Sequence, residues 1–273
     1  MRDERTIKLL HDEEKPTLMD LKNYAEMVYF QFYRKVEELD FFIIEAADNA
    51  FSYKDAPVPK DNFYFDKMQF TFSACINALV STWEVAKLSK SLANELDGLP
   101  EREGLVSERE LENHPQIFAE YFKCDPAVHY WFRFMKDARN ANAHDGTLAL
   151  NGGNVKEFLF QTDLHRYKWD RGYKRFAYVS SESPKGNAVC VILKAAIALV
   201  PAFENKLERP ALSLDDHYAS AKFKLESIPG LLDNFREKES ELIDSMVQAQ
   251  VGGQKNRSCE KQVESWTRKL ESM

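Results

Sequence analysis

The sequence predicts a mainly α-helical protein, a bundle of long helices with a small β-hairpin inserted after the helix that ends at Gly146 and with extra helices at the C-terminal end.

 Apolar residues recur every three or four positions over two long stretches, within residues 17–50 and 65–95, which is the period of a helix with one buried face. Prolines and glycines fall mostly between such stretches, where they interrupt helices and start turns. A pattern typical of strands appears only after Gly146.

The first helix is predicted from about residue 17 to about residue 50, directly after Pro16. Aromatic residues off its main apolar stripe indicate contact on a second face, with the bundle or with a dimer partner. These aromatic residues are Tyr24, Tyr29, Phe30, Tyr33 and Phe41. The stripe itself consists of Leu18, Leu21, Ala25, Val28, Phe32, Val36, Leu39, Ile43 and Ala46.

A loop with two prolines is predicted at residues 54–62, and a second long helix from about residue 65 to residue 95. The charged segment that ends at Asn113 is predicted as a short helix or an exposed loop, and a short helix follows from His114 to Lys123. Asp125 and Pro126 are predicted as the N-cap and first residue of the next helix. That helix should end at Gly146, which suits a left-handed C-terminal turn, and should bury Val128, Trp131, Met135 and Ala138.

After Gly146, residues 147–150 and 156–160 are predicted as strands joined by a turn at residues 151–154. Residues 173–180 are a candidate third strand. Further helices are predicted at residues 184–207, twice within 213–250, and in an amphipathic tail. We therefore expect a helical domain at residues 17–208, with the hairpin and a basic loop at about 147–180. A helical C-terminal extension should follow at residues 213–273.

The composition describes a globular protein, with 44% hydrophobic and 12% aromatic residues. A formal net charge of −7 excludes general polyanion binding, so any RNA contact requires a local basic patch. The four cysteines are scattered and fit a reducing compartment. The charged N-terminus lacks the apolar run of a signal peptide, and no apolar stretch is long enough for a membrane span. We expect a cytoplasmic protein.

The end of the helix before Gly146 holds side chains suited to phosphate chemistry. Arg139 has a planar, permanently charged guanidinium, and His144 can titrate near neutral pH. Asn140 lies four residues before His144, so the two share a helix face and the amide can orient the imidazole. Arg139 and His144 lie about 140° apart around a regular helix. We therefore expect a frayed last turn, or a second copy of the helix across a two-fold axis, to bring them together.

This arrangement, Arg-Asn-x-x-x-His at the end of a helix in a helical chain, resembles the HEPN superfamily. Its ribonuclease members carry an Arg, a polar residue beside it, and a His four to six residues beyond the Arg. Arg139, Asn140 and His144 match those positions one by one and become the candidate catalytic residues. The resemblance covers roughly residues 17–208. It implies a HEPN-like helical bundle, a homodimer that pools both motifs in one cleft, and RNA cleavage that needs no metal and no cofactor.

The resemblance also implies a role and partners. The expected role is that of a toxin or phage-defence endoribonuclease, in which the RNA 2′-hydroxyl attacks the adjacent phosphate. A cognate antitoxin or a nucleotidyltransferase is a further expected partner, since HEPN proteins are often encoded beside one.

Two alternatives stay open. The first is a non-catalytic HEPN-like dimer that binds a protein partner or a nucleotide, which the acidic net charge favours. The joint presence of Arg, Asn and His favours catalysis instead, although an Arg and a His at this spacing also occur as a surface cation and a capping residue. A nucleotidyltransferase activity of the chain itself is the weaker alternative, because no catalytic acidic motif follows a Gly-Ser turn.

The segment at residues 165–175 is basic, with aromatic residues interleaved, as in contacts with single-stranded RNA. It equally fits a solvated loop whose rings pack on the domain. Its candidate RNA-binding residues are Arg166, Lys168, Trp169, Arg171, Tyr173, Lys174 and Arg175.

Metal ligands are not predicted. His114, Cys124 and His129 fit no common zinc spacing and are interpreted as capping and core residues. The carboxylates form no spaced cluster typical of a two-metal nuclease.

Overall fold

The computed structural model describes residues 17–55, 62–99, 106–145, 150–154, 157–160, 188–226, 238–252 and 257–272. These residues are mainly helical, as the sequence predicts. In chain order the elements are α1 (Leu18–Asp55), α2 (Asn62–Leu96), α3 (Glu108–Asn113), α4 (Pro115–Phe122), α5 (Val128–Asp145), β1 (Leu150–Asn154), β2 (Glu157–Phe160), α6 (Ala188–Glu204), α7 (Leu214–Glu226), α8 (Glu239–Gly252) and α9 (Glu260–Glu271).

The chain forms two compact units, each assembled from separate stretches of sequence. We call the unit that contains α5 the motif unit; it comprises Gln31–Lys87, Gly104–Leu207 and Ser258–Met273. The second unit comprises Met1–Phe30, Leu88–Glu103 and Glu208–Arg257. The helices α1 and α2 contribute residues to both. The predicted domain limits, 17–208 and 213–273, stay a prediction.

The first helix begins where the sequence predicts, because Thr17 caps it. The backbone N–H of Asp20 donates to the hydroxyl of Thr17, and the Asp20 carboxylate accepts from the backbone N–H of Thr17. Most of the predicted stripe is buried, from Ala25 to Ala46. Leu21 is half-buried, and Leu18 is 59% exposed because it lies in the first turn of the helix.

The aromatic residues off that stripe differ in their burial, and Tyr24 and Phe30 are half-buried. Tyr29 and Tyr33 are buried, so a second face of α1 does make contacts. Phe41 is 58% exposed and contributes nothing to the core of the described residues.

In the motif unit, the apolar helix α6 packs against α5, α9 and β2. Pro201 lies inside α6, where the helix continues to Glu204 rather than ending at the proline. The amphipathic tail predicted from Val263, Trp266 and Leu270 is α9, and its Trp266 is fully buried. The indole N–H of Trp266 donates to the carboxylate of Asp40 at 2.7 Å. Together these contacts fix α9 within the motif unit.

In the second unit, α7 packs against α8. Ser213 and Asp216 cap the start of α7, because the backbone N–H of each donates to the side chain of the other. The ammonium of Lys22 donates to the Asp216 carboxylate at 2.9 Å. The hydroxyl of Tyr218 donates to Asp244 of α8 at 2.8 Å. Charged and polar contacts therefore link α7 both to α8 and to the first turns of α1.

The segments β1 and β2 pair antiparallel, with Leu150 opposite Phe160 and Asn154 opposite Glu157. The predicted turn at residues 151–154 was misplaced, because these residues lie within β1. The register shifts between Asn151 and Asn154, and two glycines there suit such an irregular strand. The predicted third strand lies outside the described residues.

No helix among the described ranges is both long enough and apolar enough to cross a membrane.

Candidate functional site

The start of α5 lies two residues later than the sequence predicts. Asp125 does act as a cap, since its carboxylate accepts from the backbone N–H of Ala127 at 2.7 Å. The backbone N–H groups of Val128 and His129 bond to the carbonyls three residues before them, those of Asp125 and Pro126. This tight first turn delays the regular helix until Val128.

The inner face of α5 is also rotated from the predicted one. Met135 and Ala138 are fully buried, as expected, whereas Val128 and Trp131 are only half-buried. Phe132 takes the central position, with no exposure. The difference arises because α5 packs against α3, α4 and α6 together, which buries a wider face than one stripe.

An aromatic cluster fixes the middle of α5 in the motif unit. Its members come from four helices, with Trp83 on α2, Phe118 and Phe122 on α4, Phe132 on α5 and Phe203 on α6. The Phe132 ring centroid lies 5.0 Å from that of Phe118 and 5.5 Å from that of Trp83. Rings at these distances and angles pack favourably beyond the area that they bury. The cluster therefore holds α5 one to two turns before the motif.

An ion bridge lies between this cluster and the motif. Glu108, the first residue of α3, accepts from the ammonium of Lys136 through Oε2 and from that of Lys87 through Oε1, each at 2.8 Å. Lys87 also pairs with Glu84 at 2.9 Å. One carboxylate thus joins three helices: α2, α3 and α5.

The bridge keeps Glu108 ionised over a wide pH range. Partial burial alone would raise the pKa of Glu108, but the hydrogen bonds from Lys136 and Lys87 outweigh it and lower the pKa to about 2. The Lys136 side chain is 8% exposed, so its charge is largely removed from water and needs this partner.

Sequence reasoning did not identify Lys87, Glu108 and Lys136, since they lie far apart in the chain. A local signal was present nonetheless. Ser107 and Glu110 form a capping box at the start of α3, with the Ser107 hydroxyl donating to the Glu110 carboxylate at 2.6 Å. This Ser-x-x-Glu pattern marks a helix start and would have placed Glu108 in its first turn.

The helical backbone of α5 continues to Asp145 and so includes all three candidate catalytic residues. Arg139 is half-buried and follows the buried Ala138. The side chains of Asn140 and His144 lie outside what the structure describes. On a regular helix Asn140 and His144 share a face, and Arg139 lies about 140° away from His144. The backbones of the three residues therefore lie on one helix, and the arrangement of their side chains stays a prediction.

The candidate RNA-binding residues lie outside the described residues. All of them, Arg166, Lys168, Trp169, Arg171, Tyr173, Lys174 and Arg175, fall within the undescribed range 161–187.

The residues set aside as metal ligands have other surroundings. His129 is buried, its Nε2 lies 3.1 Å from the carbonyl of Glu112, and its ring packs on Phe118. Burial lowers the pKa of His129, which favours the neutral ring. His114 is exposed and forms no side-chain cap at the start of α4. Within the described ranges, no three His, Cys, Asp or Glu side chains are grouped so that they could hold a metal ion.

Comparisons of the chain with protein-family models, with curated proteins and with solved structures found no match.

Proposed function

We propose that the chain is a metal-independent endoribonuclease of the HEPN type, acting as a toxin or phage-defence effector. The observation that carries this proposal is the continuity of α5 through Asp145, which keeps Arg139, Asn140 and His144 within the last two turns of one helix. The proposal includes a HEPN-like bundle for the helical part, with the segment around β1 and β2 as its insertion.

The surroundings of α5 support a catalytic use of its last turns. The aromatic cluster and the ion bridge hold the helix in place before the motif, so the side chains that follow extend from a fixed backbone. Catalysis by positioned groups requires such a fixed backbone, because a displacement of about 1 Å can lower the rate about a hundredfold.

The chemistry assigns one role to each residue. RNA supplies its own nucleophile, the 2′-hydroxyl beside the scissile phosphate. His144 transfers protons to or from the reacting oxygens, and its place in the last turn of a helix favours the imidazolium. Arg139 binds the phosphate oxygens through two donors and stabilises the charge of the transition state. Asn140 orients His144 or binds phosphate. The products are a 2′,3′-cyclic phosphate and a 5′-hydroxyl.

Convergence of Arg139 and His144 calls for a second copy of α5, since one regular helix separates them by about 140°. We therefore propose a homodimer with a two-fold axis near the motif. Light scattering at micromolar concentration should give the mass of a dimer. A purely monomeric mass would contradict a site built from Arg139 of one copy and His144 of the other.

The decisive experiment compares wild type with His144→Ala on labelled single-stranded RNA in the presence of EDTA. Loss of a general acid or base should lower the rate about a hundredfold or more. His114→Ala is the matched control, because it removes another histidine, one that is exposed and forms no side-chain cap. Cleavage that survives His144→Ala, or that EDTA abolishes, would contradict the mechanism.

Arg139→Lys tests the second role. Lys keeps the charge but loses the planar fork of donors. If Arg139 binds the phosphate through that fork, Arg139→Lys should lose cleavage; if Arg139 only balances charge, cleavage should persist. Arg268→Lys, at an exposed position of α9, is the matched control. Equal cleavage by Arg139→Lys and wild type would remove the clamp.

The basic segment at residues 165–175 is proposed as an RNA-binding segment of the enzyme. Changing Arg171, Lys174 and Arg175 to Glu should weaken RNA binding and flatten its dependence on salt. The reason is that a protein with fewer phosphate contacts releases fewer counterions when it binds. Unchanged binding across a salt series would assign the segment a structural role. If wild type binds RNA or a nucleotide but cleaves nothing, the non-catalytic dimer becomes the better account.

A further inference from the structure

Glu108 occupies a position that links the motif helix to the rest of the motif unit. Its two carboxylate oxygens bond to different lysines on different helices, Oε1 to Lys87 of α2 and Oε2 to Lys136 of α5. Both bonds are 2.8 Å long and both donors are charged, which makes them stronger than neutral hydrogen bonds.

The carboxylate is held in place by its own short helix. The capping box of Ser107 and Glu110 fixes the first turn of α3, where Glu108 is the first helical residue. Leu111, on the same helix, is fully buried. The helix α3 in turn packs on both α4 and α5. Glu108 therefore offers a fixed anchor rather than a mobile surface charge.

The anchor acts close to the motif. Lys136 lies three residues before Arg139, so the two side chains are neighbours on adjacent turns of α5. Phe132 and Met135, also on α5 before the motif, are buried apolar residues that hold the helix by packing alone. The bond from Lys136 to Glu108 is directional and restricts rotation of the helix about its axis.

We propose that Glu108 is a positioning residue, which holds the last turns of α5, and with them Arg139, through its bond with Lys136. This inference rests on the ribonuclease function proposed above. Glu108 touches neither RNA nor the reacting atoms in this account. Its loss should therefore reduce the turnover of a folded enzyme while leaving substrate affinity unchanged.

The first arm of the test is amide hydrogen exchange, which needs no enzymatic activity. In Glu108→Gln the backbone amides of residues 139–145 should exchange about three- to tenfold faster, because the charged, partly exposed hydrogen bond that holds Lys136 is lost. Amides of α6 and α9 should keep their wild-type rates. Glu84→Gln is the matched control, because it removes a partner of Lys87 and leaves the bond between Glu108 and Lys136 intact.

The second arm is kinetic. Glu108→Gln should lower kcat about three- to tenfold with KM unchanged, well below the unfolding temperature, whereas Glu84→Gln should keep both. Lys136→Met replaces the buried ammonium by an apolar chain of similar shape and should give the same loss. The double variant Glu108→Gln with Lys136→Met should lose no more than Glu108→Gln alone, since that variant already removes the ion pair between Glu108 and Lys136.

The outcomes separate this inference from the proposed function. Wild-type exchange at residues 139–145 in both Glu108→Gln and Lys136→Met would overturn the inference, even if the enzyme cleaves RNA. Additive losses in the double variant would overturn the route through Lys136. If wild type cleaves no RNA, the ribonuclease proposal fails, and faster exchange confined to residues 139–145 would still support Glu108 as the anchor of these turns.

Discussion

The two compact units of the chain are held together in different ways. Among the described residues, the largest side chains with almost no exposure all belong to the motif unit, and they include Trp83, Phe132, Phe203 and Trp266. In the second unit the buried apolar side chains include Val28, Leu92 and Leu225. Ion pairs also join its segments, those of Lys22 with Asp216 and of Lys90 with Glu208.

The difference predicts different responses to the solvent. Burial of apolar surface depends little on salt or on moderate changes of pH, whereas partly exposed ion pairs weaken under both. The motif unit should thus be the more robust of the two, which agrees with our proposal that it holds a helix end for catalysis.

The largest effect should come from the aromatic cluster. Phe132→Ala removes a fully buried ring that contacts Trp83 and Phe118, and should lower the free energy of unfolding by about 3–5 kcal/mol. Urea unfolding measures it. Phe30→Ala in the second unit is the comparison, because Phe30 is only half-buried, beneath the guanidinium groups of Arg209 and Arg257. Equal losses for the two variants would break the contrast between the units.

The attachment of α9 should come next. Trp266→Phe keeps an aromatic ring but removes the donor to Asp40, which should lower the free energy of unfolding by about 1–3 kcal/mol. Trp131→Phe makes the same change at a half-buried position and should cost less. A thermal unfolding series that ranks Trp131→Phe as the more damaging variant would mean that α9 contributes little to the motif unit.

A gain of stability is expected between α4 and α5. Lys123 has a φ of 53°, a left-handed conformation that is unfavourable for a residue with a side chain. Lys123→Gly relieves this strain. The free energy of unfolding should rise by about 0.5–1 kcal/mol once the larger conformational entropy of glycine in the unfolded chain is subtracted. Lys123→Ala removes the same charge without relieving φ and should give no gain. A gain for the Ala variant would point to charge rather than backbone strain.

The smallest effect should come from the second unit and should depend on pH. The hydrogen bond from Lys22, with that from the backbone of Ser213, lowers the pKa of Asp216 to about 2. Its usual value is 3.8, so the stabilisation is complete above about pH 4 and is lost as the pH falls towards 2. Asp216→Asn should therefore cost a few tenths of a kcal/mol at pH 7 and nothing near pH 2. A difference that persists at pH 2 would exclude this ion pair as its cause.

Local sequence patterns were sufficient for the helices. Steps of three and four predicted α1 and α2, and Pro16 and Pro115 marked helix starts. Leu18 was misjudged because a periodic pattern does not tell how far a stripe extends into the first turn of a helix. The delayed start of α5 reflects a tight turn whose hydrogen bonds a cap signal does not specify.

The surroundings of the motif could not be predicted from local patterns. The bridge of Lys87, Glu108 and Lys136 joins three helices that are far apart in sequence, and each residue alone resembles an ordinary surface charge. The triad of Arg139, Asn140 and His144 stood out only because its members are close together on one helix. Its side-chain convergence and the basic segment stay predictions.

The contact between Asp40 and Trp266 has a consequence for the biosynthesis of the protein. These two residues are 226 positions apart, and both belong to the motif unit. During translation α1, α5 and α6 leave the ribosome well before α9, so the surface that Trp266 covers stays open while the rest of the chain is made. Contacts of such large sequence separation form slowly, and the exposed apolar surface is prone to aggregation meanwhile. The motif unit should therefore close only after α9 has been synthesised, which delays any activity of its helix end until then.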